Sequence, residues 1–257
     1  MKNVSIIIPA YNEEKRIGRT LETYSAYFDV LRKRKELDYE ILVVINNTID
    51  KTEEIVKKWK RRNERIKYLN FKRGGKGFAV IEGFKDSLRR NNDFLGFADA
   101  DMATLPEEYY KLIISLKDFD GAIASRYING AVIEPKPTIQ RLLAKRLFNI
   151  LVRAMLLLPF KDTQCGAKVF KRGAIKKVLG NISLSQWAFD VDLLYSLKKA
   201  GFRIKEIPTR WHDKEYSKIN FWRAGPWMAL GVLRLRLINS PLKGIIKVYD
   251  KILGFVP

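Results

Sequence analysis

An open α/β sheet of mainly parallel strands is the architecture predicted for these 257 residues, and three features of the first half predict it. Short apolar runs alternate with helix-forming stretches, the order that builds a parallel sheet through right-handed crossovers. The runs are β-branched or apolar at nearly every position, which marks strands covered on both faces. Each run then breaks into a polar or glycine-rich turn, and in such sheets ligands collect beyond the carboxyl ends of the strands.

Taken in order, Val4-Ser5-Ile6-Ile7-Ile8 is the first strand, ended by Pro9. Tyr11-Asn12-Glu13-Glu14 leads into a helix expected from about residue 15 to about residue 35. Glu40-Ile41-Leu42-Val43-Val44-Ile45 is the second strand, followed by the turn Asn46-Asn47-Thr48-Ile49-Asp50. A helix follows over 51–59, with Glu53 and Glu54 in the first turn, where the helix dipole favours acids. Residues 66–71 form the third strand, and Gly74-Gly75-Lys76-Gly77 opens a helix that runs to about residue 88. Phe94-Leu95-Gly96-Phe97-Ala98 is the fourth strand and ends in Asp99-Ala100-Asp101. Gly121-Ala122-Ile123-Ala124 is the fifth and ends at Ser125-Arg126. Tyr11, Asn46, Arg73, Asp99 and Arg126 therefore share the loops where a site belongs.

The second half changes character. Residues 141–158 are apolar but interrupted by Lys145, Arg146 and Arg153, at positions able to share a helical face. Asp162-Thr163-Gln164-Cys165-Gly166 is a polar loop, 187–197 a helix and 202–207 a short strand. The tail over 218–238 mixes Phe221, Trp222, Trp227, Met228, Leu230, Leu233 and Leu237 with Arg223, Arg234 and Arg236. Aromatic residues and arginines around an apolar face describe a helix in a membrane interface, with an ordinary core helix as the alternative.

Composition narrows the partners. Lys and Arg number 49 against 28 Asp and Glu, a net charge of +21 that calls for an anionic partner: nucleic acid, membrane or phosphorylated substrate. RNA-recognition, zinc-finger and basic-zipper signatures are missing, so no specific nucleic acid is expected. A single cysteine, Cys165, forms no internal disulfide and fits a reducing compartment. No apolar run reaches the roughly 20 residues of a bilayer span, and no signal peptide is expected ahead of the first strand. His212 is the only histidine, which excludes a histidine-built metal centre.

The chemistry-bearing residues follow. Asp99 and Asp101 close a buried strand with two acids, the arrangement a hard divalent cation takes while keeping substrate phosphates as its other ligands. A plain acidic turn is the alternative. The Gly74–Gly77 turn suits backbone cradling of phosphate at a helix N-terminus, though it is neither a Walker nor a Rossmann loop. Asn46 has the amide to meet a nucleobase edge, and Arg126 the planar fork to clamp phosphate.

Ile8-Pro9-Ala10-Tyr11-Asn12-Glu13-Glu14, Arg73-Gly74-Gly75-Lys76-Gly77, Ala98-Asp99-Ala100-Asp101, Ala124-Ser125-Arg126, Asp162-Thr163-Gln164-Cys165-Gly166 and Trp187-Ala188-Phe189-Asp190-Val191 resemble, in this order, the motifs of family 2 glycosyltransferases with the GT-A fold. The likeness spans roughly residues 3–240. It is greatest to the dolichyl-phosphate glucosyltransferases, with dolichyl-phosphate mannose synthases next. The resemblance implies a GT-A catalytic domain over 1–215, divided into a nucleotide-sugar half (1–127) and an acceptor half (128–215). An amphipathic membrane-associating extension follows over 216–257. It implies that Pro9, Tyr11 and Glu13 line the nucleotide pocket with Asn46 near the base, and that Arg73 and Lys76 contact the donor. Asp99 and Asp101 would hold Mg²⁺ or Mn²⁺, and Arg126 would meet the acceptor phosphate. Two departures stand out: Ile45 and Asn46 occupy places where relatives carry acids, and Ala167 stands where they carry Phe.

The implied reaction is an inverting transfer of a hexose, glucose from UDP-glucose first, to a polyprenyl or dolichyl phosphate on the cytoplasmic face of a membrane, in protein glycosylation. A phosphate acceptor with a second pKa of about 6 needs no general base, whereas a sugar-hydroxyl acceptor needs a carboxylate, for which Asp190 is the candidate. A GDP-mannose donor, a soluble acceptor, and a non-enzymatic membrane-binding or nucleic-acid-binding module are the competing readings.

Overall fold

The computed structural model describes residues 1–135, 138–182, 188–212, 221–246 and 249–250. Trp187 and the first three residues of the expected tail helix lie outside them. The elements run β1 (Asn3–Ala10), α1 (Ile17–Lys33), β2 (Asp38–Asn46), α2 (Thr52–Arg62), β3 (Ile66–Phe71), α3 (Lys76–Arg89), β4 (Phe94–Ala98), α4 (Pro106–Ser115), β5 (Gly121–Ser125), β6 (Val132–Glu134), α5 (Ile139–Leu156), β7 (Ala167–Lys171), α6 (Arg172–Val178), α7 (Phe189–Lys199), β8 (Ile204–Pro208), β9 (Arg210–His212) and α8 (Phe221–Ile238).

Seven strands form one sheet in the order β3-β2-β1-β4-β7-β5-β8. All pairings are parallel except those of β7, which runs antiparallel between β4 and β5. The continuous apolar runs have the meaning expected of them. Ile6 and Ile8 enter the core on one face and Ile7 the core on the other, and Ile41, Val43 and Ile45 likewise oppose Leu42 and Val44. Helices α1, α2 and α4 cover the first face; α3, α6 and α7 cover the second. Helix α8 packs on α5, and its Val232 and Leu235 join the second core alongside Phe148 and Val152.

Two differences from the sequence reading matter for the site. Pro9 lies inside β1, paired with Val44, since an extended backbone accepts its fixed φ and the strand goes on to Ala10. Strand β7 was not expected, and it decides where the second half goes. Because β7 is antiparallel, its first residue, Ala167, pairs with Ala98 at the carboxyl end of β4. The loop 162–166 therefore arrives at the same sheet edge as Asp99.

Candidate active site

The carboxyl ends of β1, β2, β3, β4 and β5, the loop before β7 and the start of α7 converge on one edge of the sheet. The loops after β1, β2 and β3 are laced together by hydrogen bonds between backbone and small polar side chains. Asn46, 3% exposed, donates from Nδ2 to the Ala10 carbonyl (3.0 Å) and accepts the Gly75 N–H at Oδ1 (3.0 Å). It thus ties β1 to the glycine-rich turn, and both ends of the amide expected at a base edge are engaged by backbone. Thr52 Oγ1 accepts from Glu13 N–H at 2.8 Å, Asp50 accepts from Glu14 N–H at 3.1 Å, and Ile49 N–H donates to Asn12 Oδ1 at 3.0 Å. Glu13 is gripped by both Nε and Nη2 of Arg16. Tyr11 is half exposed, and Arg73 lies 5.0 Å over the Phe78 ring.

Asp99 and Asp101 differ in their surroundings. Lys76 donates to Asp99 Oδ1 at 2.8 Å. Gly166 has no Cβ because one there would overlap Asp99 Oδ2, so the loop before β7 presses directly on this carboxylate. Asp101 accepts the Ala103 N–H at 3.0 Å and makes no ion pair among the described residues. Burial raises its pKa, and the like charge of Asp99 raises it further, against the pull of Arg16 and Lys76. No cluster of three or more His, Cys, Asp or Glu side chains forms among the described residues. Two carboxylates that repel one another at a sheet edge are a donor set that fits a hard divalent cation taking its remaining ligands from a substrate.

Lys76 also reaches Asp190 Oδ2 at 3.8 Å, while the other oxygen of Asp190 accepts from Lys168 at 2.6 Å. Lys168 is fully buried, donates a second bond to the Cys165 carbonyl (2.5 Å), and shares the Phe97 ring with Lys76, at 5.3 and 5.5 Å. Burial opposes the charges on Lys76 and Asp190. The two lysines outweigh it at Asp190 and hold its carboxyl below the ordinary range; Asp190 and then Asp99 outweigh it at Lys76 and hold that ammonium above its range. Gly77 gives α3 room for this arrangement, because a Cβ there would press into the Phe189 side chain of α7. A carboxyl so depressed is a poor general base, the role reserved for Asp190 under a sugar-hydroxyl acceptor.

Arg126 does not present an open fork. Its Nε and Nη2 grip Asp162 at 2.7 and 2.8 Å, its backbone N–H donates to the same carboxylate at 3.0 Å, and Tyr127 and Trp211 flank the guanidinium at 5.3 and 4.9 Å. Burial works against both charges, and each is held by the other. Asn149 of α5 accepts from Thr163 N–H and Oγ1, and Glu206 of β8 accepts from Lys161 and Asp162 N–H. Arg126 is thus the brace of the loop 162–166, with Nε and Nη2 of its fork engaged by Asp162.

Sequence reasoning brought Asp99, Asp101, Lys76, Asn46, Arg126 and Asp190 to one place but passed over Lys168, Arg16 and Trp211. Lys168 gave one signal, a lone charge inside the apolar stretch Ala167-Lys168-Val169-Phe170. The family profile described as glycosyl transferase family 2 matches residues 5–179, a span that holds both acids, Lys76 and Lys168. The chain belongs to glycosyltransferase family 2. Among family 2 relatives, dolichyl-phosphate beta-glucosyltransferase of Drosophila melanogaster is 32% identical over 89% of this chain and 72% of its own. The Homo sapiens enzyme of the same name is 31% identical over 93% and 77%. Two solved structures show the GT-A-like fold. Glucosyl-3-phosphoglycerate synthase from Mycobacterium tuberculosis, in complex with Mn²⁺, UDP and glucosyl-3-phosphoglycerate, superposes with a TM-score of 0.67 at 16% identity, over 92% of this chain and 79% of that one. Mannosyl-3-phosphoglycerate synthase from Rubrobacter xylanophilus gives 0.63 at 17%, over 95% and 75%.

Proposed function

We propose that this glycosyltransferase moves glucose from UDP-glucose to a dolichyl or other polyprenyl phosphate at a membrane surface, with inversion at the anomeric carbon. The names of the relatives above support the sugar and the acceptor. The observation that carries the acceptor class is Asp190: the carboxylate that would be the candidate base for a sugar hydroxyl is ion-paired with two lysines. A phosphate acceptor, largely ionised near neutral pH with a second pKa of about 6, needs positioning and no base. Asp99 and Asp101 would hold Mg²⁺ or Mn²⁺, as the Mn²⁺ bound with UDP in a neighbour of the same fold supports. The ion would act as a Lewis acid toward the diphosphate leaving group. Lys76 adds a positive charge on the leaving-group side, and the braced loops around Arg126 and Asn46 shape the two halves of the pocket.

The membrane reading rests on α5. Leu143, Leu147, Ile150 and Leu151 are exposed at a spacing of four, three and one, a single helical stripe, and Leu157 extends it beyond the helix. Exposed Arg146 and Arg153 flank that stripe. Among the described residues no helix is long and apolar enough to cross a membrane. A basic, leucine-lined helix is suited to lie in an interface, with the net charge of +21 favouring anionic lipid. The sequence reading placed membrane contact in the tail, but in α8 Val232 and Leu235 are buried against α5, and Trp227 and Leu233 are the exposed large apolar side chains among its described residues.

The direct test is incubation with labelled UDP-glucose or GDP-mannose plus polyprenyl phosphate, followed by organic extraction and product mass. Transfer from UDP-glucose is expected, and it is abolished by Asp101→Ala or excess chelator; full activity in chelator would remove the metal from the proposal. Leu147→Glu is expected to reduce cosedimentation with anionic vesicles several-fold, and unchanged binding would place the contact elsewhere.

A further inference from the structure

The side chain of Lys76 lies between two carboxylates of different standing. It holds Asp99 at 2.8 Å and stands 3.8 Å from Asp190, whose far oxygen is fixed by the buried Lys168 at 2.6 Å. Asp99 has little freedom to swing aside, because its other oxygen abuts Gly166. Asp190 cannot collapse onto Lys76 without leaving Lys168, which is itself pinned to the Cys165 carbonyl at 2.5 Å. The Lys76 ammonium thus has an occupied seat at Asp99 and, beside it, a second carboxylate already oriented by Lys168. We propose that Lys76 is a resident counter-cation that competes with the divalent ion for Asp99, and that Asp190, held charged by Lys168, is the seat to which Lys76 withdraws when the ion arrives. This rests on the reading that Asp99 and Asp101 hold a divalent cation.

The arrangement solves a physical problem. Two adjacent, partly buried carboxylates repel one another, and an ammonium on one of them keeps the metal-free protein from carrying that repulsion unrelieved. The same ammonium would repel an incoming divalent ion if it had nowhere to go. Asp190 supplies an alternative partner on the other side of the same nitrogen. The Phe97 face beneath both lysines stays in contact with cationic charge at either position.

The test is Mn²⁺ binding to the full chain without nucleotide, followed by the loss of the free-ion electron paramagnetic resonance signal. Removing the competitor with Lys76→Met is expected to tighten Mn²⁺ binding about tenfold. Lys76→Arg, which keeps the charge, is expected to bind close to wild type. Removing the second seat with Asp190→Asn is expected to weaken Mn²⁺ several-fold, but only while Lys76 is present. In the Lys76→Met background, Asp190→Asn should change nothing. Simple through-space effects would instead add, and additivity overturns the exchange. Unchanged or weaker binding by Lys76→Met also overturns it while the metal site stands. No Mn²⁺ binding by wild type, or none lost in Asp101→Asn, would overturn the underlying reading instead.

Discussion

The proposed donor side and the proposed acceptor side of this site are held by different forces. On the donor side, loops after β1, β2 and β3 are joined by neutral hydrogen bonds through Asn46, Thr52 and Asn12, with Asp50 and Glu14 the charged exceptions. On the acceptor side, the loop 162–166 is held by buried ion pairs, Arg126 with Asp162 and Lys168 with Asp190. Neutral bonds each contribute modestly and fail one at a time. A buried ion pair contributes little against an apolar substitute, yet breaking one partner strands the other charge in a dry place. The lesson is that equal-looking contact maps conceal unequal fragility, and the acceptor side is the brittle one.

The largest effect should come from breaking that brittle side. Asp162→Asn leaves the Arg126 guanidinium, 10% exposed, without its carboxylate, and is expected to cost about 3–5 kcal/mol in urea unfolding. Replacing both partners, Arg126→Met with Asp162→Leu, should cost clearly less than the single change. If the double replacement costs as much, the pair is not what makes this region fragile. The pH dependence has a definite sign. Burial disfavours the Asp162 charge, but Arg126 more than offsets it, so the folded carboxyl lies below the unfolded value of 3.8. The stability it contributes is complete above that unfolded value and is lost as pH falls through the folded one. The gap between wild type and Asp162→Asn should therefore be flat from pH 7 to about 4 and close below it.

Next comes the donor side's central staple. Asn46→Ala removes two backbone bonds at a buried position and is expected to cost about 2 kcal/mol. It should also raise the KM for the nucleotide sugar, because the glycine-rich turn loses its tie to β1. A rise in KM without loss of stability would mean that the amide serves the substrate directly and not the loop.

The same contrast explains what could be read from the residues alone. β1, β2 and β3 were plain because parallel strands buried on both faces write continuous apolar runs, and the paired acids stood out at the end of β4. β7 was not, since a lysine at its second residue breaks the apolar run. The charge of the buried Lys168 is met by Asp190, 22 residues further on. No local pattern encodes a partner at that distance. Helix α4 was passed over although its start carried a signal, a proline at its first position with Glu107 and Glu108 behind it. Arg126 was placed at the sheet edge, but its ion pair with Asp162 was not foreseen, because an internal carboxylate partner depends on which loop folds over it.

The smallest expected effect sharpens the comparison from below. Thr48 meets the same Ala10 carbonyl as Asn46 but reaches only the loop after β1, and its bonds are long, 3.3 Å from the Asn12 N–H and 3.4 Å to the Ala10 carbonyl, at the weak end of hydrogen-bond geometry. The residue is only partly buried, so water can replace either partner. Thr48→Val keeps the shape and removes the hydroxyl, and should cost about 0.5 kcal/mol or less, with KM unchanged. A loss as large as that of Asn46→Ala would show that the donor loops act as one cooperative network and not as separate neutral ties. The two sides of the site would then be equally brittle, for different physical reasons.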